Sequence, residues 1–224
     1  MNTLTRKGIG RTLLLGLCGA VFSLYGSLAG AGTIKGSAHD FSTTGWANGE
    51  ICVACHTPHN ADTTVSEAPL WNHALTGKTF VLYSSPTLDA TVAQPGGSSK
   101  LCLSCHDGTV ALDSFGTTTG TSFMTGNKAV GADELGNDHP ISFTYDPALA
   151  TADGALFDPT DVTNQVTIGA GGDSKTGTIQ DVLLLGNQVQ CASCHDVHNK
   201  FTNGDKLLRI ANTGSNLCLT CHNK

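Results

Sequence analysis

One five-residue pattern occurs four times in the chain, as Cys52-Val-Ala-Cys55-His56, Cys102-Leu-Ser-Cys105-His106, Cys191-Ala-Ser-Cys194-His195 and Cys218-Leu-Thr-Cys221-His222. These segments contain eight of the 9 cysteines, and the ninth, Cys18, lies in an apolar N-terminal stretch. CxxCH is the attachment signature of c-type haem. Two cysteines at this spacing lie on one side of a helical turn, where both thiols can add to the vinyl groups of one haem. The adjacent histidine then binds the iron from the proximal side.

The sequence therefore predicts four haem c groups and their attachment residues. The predicted thioether cysteines are Cys52, Cys55, Cys102, Cys105, Cys191, Cys194, Cys218 and Cys221, and the predicted proximal ligands are His56, His106, His195 and His222. Two alternatives are less favoured. A zinc ribbon does not require a histidine after each cysteine pair, and a thioredoxin-like redox pair does not occur in four copies on one small chain.

Five histidines lie outside the four motifs and can supply the second axial ligand of each iron. We predict His39, His59, His139 and His198 as distal ligands, with His73 as a reserve candidate. Met124 is the only methionine of the predicted mature chain, so His/Met ligation can apply to one haem at most. Two histidines on every iron leave no open site for a substrate. This pattern indicates electron transfer, and no enzymatic activity is expected.

Two of these histidines lie three residues after a proximal ligand, in the sequence Cys-His-x-x-His. They are His59 after His56 and His198 after His195. Neither can reach the distal face of its own haem, because its backbone lies on the proximal side. Each is expected to reach a different iron, in or near its own pair of motifs, and so to hold two haems close together. The alternative is a surface histidine or one that binds a haem propionate.

The N-terminal segment has the features of a signal peptide. Arg6, Lys7 and Arg11 precede an apolar stretch over 13–25, and small residues at 29–31 resemble a cleavage site. We predict a signal peptide over 1–31 and a secreted mature chain over 32–224, extracellular or at the cell surface, with the periplasm as the alternative. A lipid anchor at Cys18 and an uncleaved anchor are less favoured. No further apolar run is long enough to span a membrane.

The composition limits both the core and the partners. Charged residues make up 13% of the chain and aromatic residues 6%, while glycine contributes 27 residues. Such a chain has little apolar material for a core, which haem groups would supply. Without the signal peptide, nine basic residues face 18 acidic ones, a formal net charge of −9. This sign argues against binding to nucleic acid.

The four motifs form two similar pairs, which indicates an internal duplication. We predict two paired-CxxCH modules, over about 32–115 and 139–224, joined by a Gly/Thr-rich segment; one continuous unit is favoured over two independent domains. Gly/Ser stretches at 96–99 and 214–215 predict a helix start just ahead of the second motif of each pair. We expect loops at 116–126 and 167–178, and a short strand or helix at 181–190. Asp153, Asp158 and Asp161 predict a solvated acidic turn, with a weak calcium loop as the alternative.

The paired arrangement, with Cys-His-x-x-His in the first member of each pair, resembles the multihaem cytochromes of metal-reducing bacteria. Four haems on a chain of this length are similar to the tetrahaem cytochromes that polymerise into extracellular nanowires. The resemblance implies a mostly irregular fold with short helices at the haem-attachment turns, built around a closely packed haem chain. It also implies a homopolymer in which a neighbouring subunit contributes one distal histidine. His39 or a Cys-His-x-x-His histidine is the candidate for that role.

Three function classes remain open at this stage. The chain is a filament subunit for extracellular electron transfer, a soluble periplasmic or surface electron shuttle, or a haem reductase with one open iron. The sequence has no CxxCK motif, which the similar nitrite reductases use, and five additional histidines argue against an open iron. Expected partners are other electron-transfer cytochromes or extracellular acceptors such as metal oxides.

Overall fold

A computed structural model describes residues 34–65, 67–130, 134–203 and 205–224, and the predicted signal peptide lies outside these ranges. The described chain is mostly irregular, as predicted. Its α-helices are α1 (Gly97–His106), α2 (Pro147–Asp153), α3 (Ile179–Val182), α4 (Cys191–Cys194) and α5 (Asn216–Leu219). Its strands are β1 (Phe143–Thr144), β2 (Val166–Ile168), β3 (Lys175–Gly177) and β4 (Gln188–Val189). Short 3-10 turns occur at Phe41–Thr43, Gly126–Lys128, Glu134–Gly136, Gly171–Asp173, Asp205–Leu207 and Thr213–Ser215.

Three of the four CxxCH segments overlap α-helices: the second lies entirely in α1, the third ends one residue after α4, and the fourth begins in α5. The helices α1 and α5 begin directly after Gly96 and Ser215, where the Gly/Ser stretches predict helix starts. The first motif differs, because residues 52–56 form an isolated turn in which the N–H of His56 donates to the carbonyl of Cys52 at 2.9 Å. The third and fourth motifs contain the same five-residue hydrogen bond. The attachment turn is therefore a local structure that does not require a longer helix.

The largest core lies in residues 139–224, the second half of the chain; the described residues before 139 are the first half. It contains ten buried residues between 143 and 210, among them Ile168 and Ile179, each 1% exposed. Both two-stranded sheets belong to this half: β1 pairs antiparallel with β4, and β2 pairs antiparallel with β3. The helix α3 contacts both β2 and β3 and closes one side of the core. Burial of these apolar side chains stabilises the second half, and the core that they form consists of protein side chains.

The prediction of a loop over 167–178 was wrong, since most of this segment forms the β2–β3 hairpin. Val166 and Ile168 are buried while Thr167 between them is exposed, which is the alternation of a half-buried strand. The hydroxyls of Thr167 and Thr176 lie 2.8 Å apart across the two strands. Because the apolar run is only three residues long, its period was hidden among small polar residues. The segment 181–190 contains both the end of α3 and the strand β4.

The first half has two smaller clusters of buried apolar residues. One contains Val65, Trp71 and Leu101, and the other contains Phe80, Leu103 and Leu135. Both use side chains of α1, so this helix carries most of the apolar contacts of the first half. The three-residue size of each cluster fits the prediction that protein side chains alone provide a thin core here.

Buried hydrogen bonds join the two predicted modules where α1 contacts α4. Ser99 is fully buried; its hydroxyl donates to the side-chain oxygen of Gln190 and accepts from the N–H of Cys191 at 3.0 Å. The hydroxyl of Ser142 donates to the same Gln190 oxygen at 3.0 Å. The attachment helices of the second and third motifs are therefore held side by side.

The acidic segment that contains Asp158 and Asp161 forms a series of turns. Asp158 and Asp161 each accept hydrogen bonds from the N–H and hydroxyl of the threonine two residues later, Thr160 and Thr163. No group of three potential metal-binding side chains occurs within the described residues. The turns therefore favour the solvated acidic alternative over the calcium loop. Among the helices of the described ranges, none has the length and apolar character needed to cross a membrane.

Candidate functional site

Three of the four motif histidines are oriented by backbone carbonyls from distant loops. In each case the ring Nδ1 lies 2.8 Å from a carbonyl oxygen: His56 from Pro69, His106 from Lys128 and His195 from Lys206. A ring that donates from Nδ1–H to a carbonyl keeps the lone pair of Nε2 for a metal. These contacts therefore favour the tautomer that can bind a metal through Nε2, and they fix the ring's direction.

Three pairs of histidine rings face each other in the folded chain. The ring centroids are 6.1 Å apart for His39 and His106, 6.1 Å for His56 and His198, and 6.3 Å for His139 and His222. Every one of these pairs joins one motif histidine to one of the predicted distal histidines. The rings of His56 and His198 are nearly parallel, with an interplanar angle of 12°.

This spacing fits two ligands on opposite faces of one haem iron. A metal–imidazole bond is about 2 Å long, so two imidazoles on opposite sides of one metal ion have centroids roughly 6 Å apart. Packed aromatic rings also reach this separation. The pairs are distinguished from ordinary packing by their composition, since each contains one histidine that directly follows an attachment cysteine. The residues present therefore fit a haem bound through two cysteines and two histidines.

The His39 ring is kept neutral, which metal ligation requires. Burial, and after it the neighbouring histidines with His106 first among them, lowers the pKa of His39 to about 4. Its Nδ1 is buried and has no hydrogen-bond partner among the residues that the structure describes. Burial also lowers the pKa of His222, with a smaller contribution from His139. Both rings thus lie in surroundings that disfavour the protonated form.

His198 is positioned by the carboxylate that follows the third motif. Asp196 is 6% exposed and accepts from the N–H groups of His198, Lys200 and Phe201 at 2.7–3.1 Å. The resulting turn directs the His198 ring to His56 of the first half. His198 was expected to reach an iron in or near its own pair of motifs; the structure places its ring beside His56 of the first motif, and the iron that it binds stays a prediction. His39, the other candidate for a ligand to a neighbouring subunit, lies beside His106 of its own chain, and its role between subunits stays a prediction.

The reserve candidate His73 is engaged by protein atoms. It is 2% exposed, and its two ring nitrogens lie 2.8 Å and 3.0 Å from the carbonyl oxygens of Ala74 and Ala111. The Nε2 atom also lies 3.5 Å from the sulfur of Cys105. His73 therefore packs beside the second motif with both nitrogens directed at carbonyls. His59, by contrast, is exposed and lies in the turn closed by the hydroxyl of Thr57.

The structure contains no disulfide among the cysteines of the four motifs, all of which lie in the described ranges. Burial raises the pKa of Cys55 to about 11 and that of Cys105 and Cys221 to about 12. Cys102 and Cys191 share a hydrogen bond, which raises the pKa of Cys102 and lowers that of Cys191 to about 7. The side chains of Cys102 and Cys191 therefore lie close enough to interact, in agreement with the α1–α4 packing.

The carbonyls of Pro69, Lys128 and Lys206 are functional groups that sequence reasoning missed. Each lies 11 to 22 residues from the histidine it orients. Every residue has a carbonyl, so no residue type in the sequence could have marked these three positions.

Comparison with known proteins supports this reading of the motifs. A family model described as "Doubled CXXCH motif" matches residues 186–224, which contain the third and fourth motifs. A search of curated proteins found no match to the chain. The family match supports a multihaem c-type cytochrome that binds haem covalently and transfers electrons.

Proposed function

We propose that the chain binds four haem c groups, each with two histidines on the iron, and that it carries electrons outside the cytoplasm as a subunit of an extracellular filament. The observation that carries the ligand assignment is the set of three facing histidine pairs. On their support we propose His198 as the distal ligand of the haem at Cys52 and Cys55, His39 for the haem at Cys102 and Cys105, and His139 for the haem at Cys218 and Cys221.

The residues of the chain hold and orient the cofactor. When bound, each haem supplies an iron that accepts and releases one electron. The cysteines fix the haem covalently, and the carbonyl contacts at Nδ1 prevent rotation of the proximal rings. Two histidine ligands on each iron would exclude substrates from the metal, so we propose no enzymatic activity.

The third motif requires a distal ligand for the haem beside His195, and we assign His59 to it. His73 has both ring nitrogens on carbonyls, whereas the exposed His59 ring makes no ring contact within the described residues. His198 lies three residues after His195 and faces His56. His59 likewise lies three residues after His56. In a reciprocal arrangement it would bind the haem of His195, either in this chain or in a neighbouring subunit.

Single-histidine variants test these assignments. His59→Ala and His198→Ala should each leave four haems attached, by intact mass, while converting one low-spin haem to high spin, by electron paramagnetic resonance. His73→Gln is the matched control and should stay fully low spin. An unchanged spectrum for His59→Ala would remove the bridging assignment, and fewer than four haems in the wild-type protein would contradict the proposed cofactor content.

The filament proposal rests on the resemblance to nanowire-forming cytochromes and on the exposed position of His59, from which it can reach a neighbouring subunit. Electron microscopy of the secreted fraction distinguishes it from the alternative of a soluble shuttle. Ordered filaments that His59→Ala disrupts would support both polymerisation and an intersubunit ligand. Discrete small particles would support the periplasmic or surface shuttle. A high-spin signal in the wild-type protein would instead favour a haem reductase.

The proposed electron partners are other cytochromes or extracellular acceptors such as metal oxides. The predicted signal peptide supports export of the chain. Mass spectrometry of the exported protein tests this proposal, since a mature N-terminus at about residue 32 is expected.

A further inference from the structure

The residue after the proximal histidine differs among the four motifs. Thr57 and Asn223 occupy this position in the first and fourth motifs, whereas Asp107 and Asp196 occupy it in the second and third. Both aspartates are buried, with 5% and 6% of their surface exposed. Each places a carboxylate beside an iron ligand, at a depth where solvent screens charge weakly.

The Asp107 carboxylate is surrounded by uncharged donors. It accepts from the hydroxyl of Thr76 and from the N–H and hydroxyl of Thr109, the latter two at 2.7 Å and 2.8 Å. Thr76 comes from the loop that also carries His73, and its own N–H donates to the hydroxyl of Ser104 in α1. Within the described residues, the hydrogen-bond donors to Asp107 therefore carry no positive charge.

The Asp196 carboxylate has a guanidinium nearby. Arg209 is the only arginine of the chain beyond residue 31. Its side chain donates to the carbonyls of His195 and Val182 at 3.5 Å and 3.3 Å, and its backbone N–H donates to the carbonyl of Cys194 at 2.8 Å. Burial lowers the pKa of Arg209, and the Asp196 carboxylate opposes this shift. The third motif thus has a cation bound to the carbonyl of His195, the residue directly before its buried acid.

We propose that Asp107 lowers the reduction potential of the haem at Cys102 and Cys105, and that Arg209 offsets the same effect of Asp196 at the third motif. Oxidised iron carries one more positive charge than reduced iron, so a nearby negative charge favours the oxidised form. This inference rests on the proposed haem content. It makes the second and third haems unequal although both have two histidine ligands and a buried aspartate at the same position.

Redox titration of the four-haem protein, followed by visible spectroscopy, tests this inference. The Cys102→Ser/Cys105→Ser variant lacks the second haem, so the component missing from its titration identifies that haem. Asp107→Asn should raise the reduction potential of this component. The expected shift is up to a tenfold change in the ratio of reduced to oxidised haem, about 59 mV for one electron. The exposed Asp89 provides the matched control, and Asp89→Asn should shift the component by less than a third of that amount.

Arg209 provides a second test if Asp107→Asn does not accumulate. The Arg209→Gln variant should lower the reduction potential of a component other than that of the second haem. Arg209→Lys keeps the charge and should lower that potential less. Equal shifts for Asp107→Asn and Asp89→Asn, or no downward shift for Arg209→Gln, would overturn the inference. Intact mass and the low-spin spectrum separate the two hypotheses, because loss of haem from the wild-type protein refutes the proposed function, whereas unshifted potentials with four haems refute the inference alone.

Discussion

The two halves of the chain carry the same pair of motifs but differ in how protein side chains support them. The second half has a core of ten buried residues and both two-stranded sheets. The first half has two clusters of three buried residues each, both attached to α1. The comparison teaches that the haem-attachment motif does not itself determine how much protein core surrounds it. Where side chains are few, the haem would supply the apolar contacts.

The family match falls on the half with the larger core. It covers residues 186–224, where Cys191 and Cys218 lie close together in sequence. In the first half the longer spacer between Cys52 and Cys102 provides Trp71, which packs in one cluster, and Phe80, which packs in the other. The longer spacer therefore supplies buried side chains as well as connecting two motifs.

The largest expected difference between the halves concerns loss of a haem. Cys52→Ser/Cys55→Ser should abolish amide protection across 51–75, because the cluster of Val65, Trp71 and Leu101 is too small to persist alone. Cys218→Ser/Cys221→Ser should leave most protection at Val166–Ile168 and Ile179–Val182. Hydrogen exchange with mass spectrometry measures both. Equal losses in the two variants would show that the second core also depends on haem.

A core truncation should affect the second half more than the first. Ile168→Ala should lower the free energy of unfolding of the second half by about 2–5 kcal/mol, because it leaves a cavity at a residue 1% exposed. Val162→Ala, at a position 74% exposed, is the control and should change it by less than about 0.5 kcal/mol. Urea unfolding monitored by hydrogen exchange measures both variants. Simultaneous loss of amide protection in the first half would contradict independent stabilisation of the two halves.

The smallest expected effect is at the contact between the halves. Ser99→Ala removes a buried hydroxyl that donates to Gln190 and accepts from the N–H of Cys191. It should cost about 1–3 kcal/mol, because the Cys191 N–H loses its acceptor while the Gln190 oxygen keeps only the hydroxyl of Ser142. A double-mutant cycle with Gln190→Leu should show coupling between the two positions. Strictly additive effects in urea unfolding would mean that this contact does not join the halves energetically.

Local chemistry was readable from the sequence. The helix starts before Cys102 and Cys218 followed from Gly/Ser stretches, because capping and turn preferences act over a few residues. The β2–β3 hairpin was missed, since a strand of three residues has too short a period to distinguish it from a Gly/Thr-rich loop. The role expected of Asp158 and Asp161 as turn residues was readable for the same local reason.

The sequence by itself determined the attachment chemistry, since spacing within CxxCH alone requires two cysteines and a histidine on one turn. It also determined the set of candidate distal histidines. Only the tertiary structure decided that His198 faces His56 and that His39 faces His106. The physical reason is that a distal ligand is chosen by the path of the chain between distant segments, through contacts such as that of Ser99 with Gln190. No pattern within either segment specifies that path.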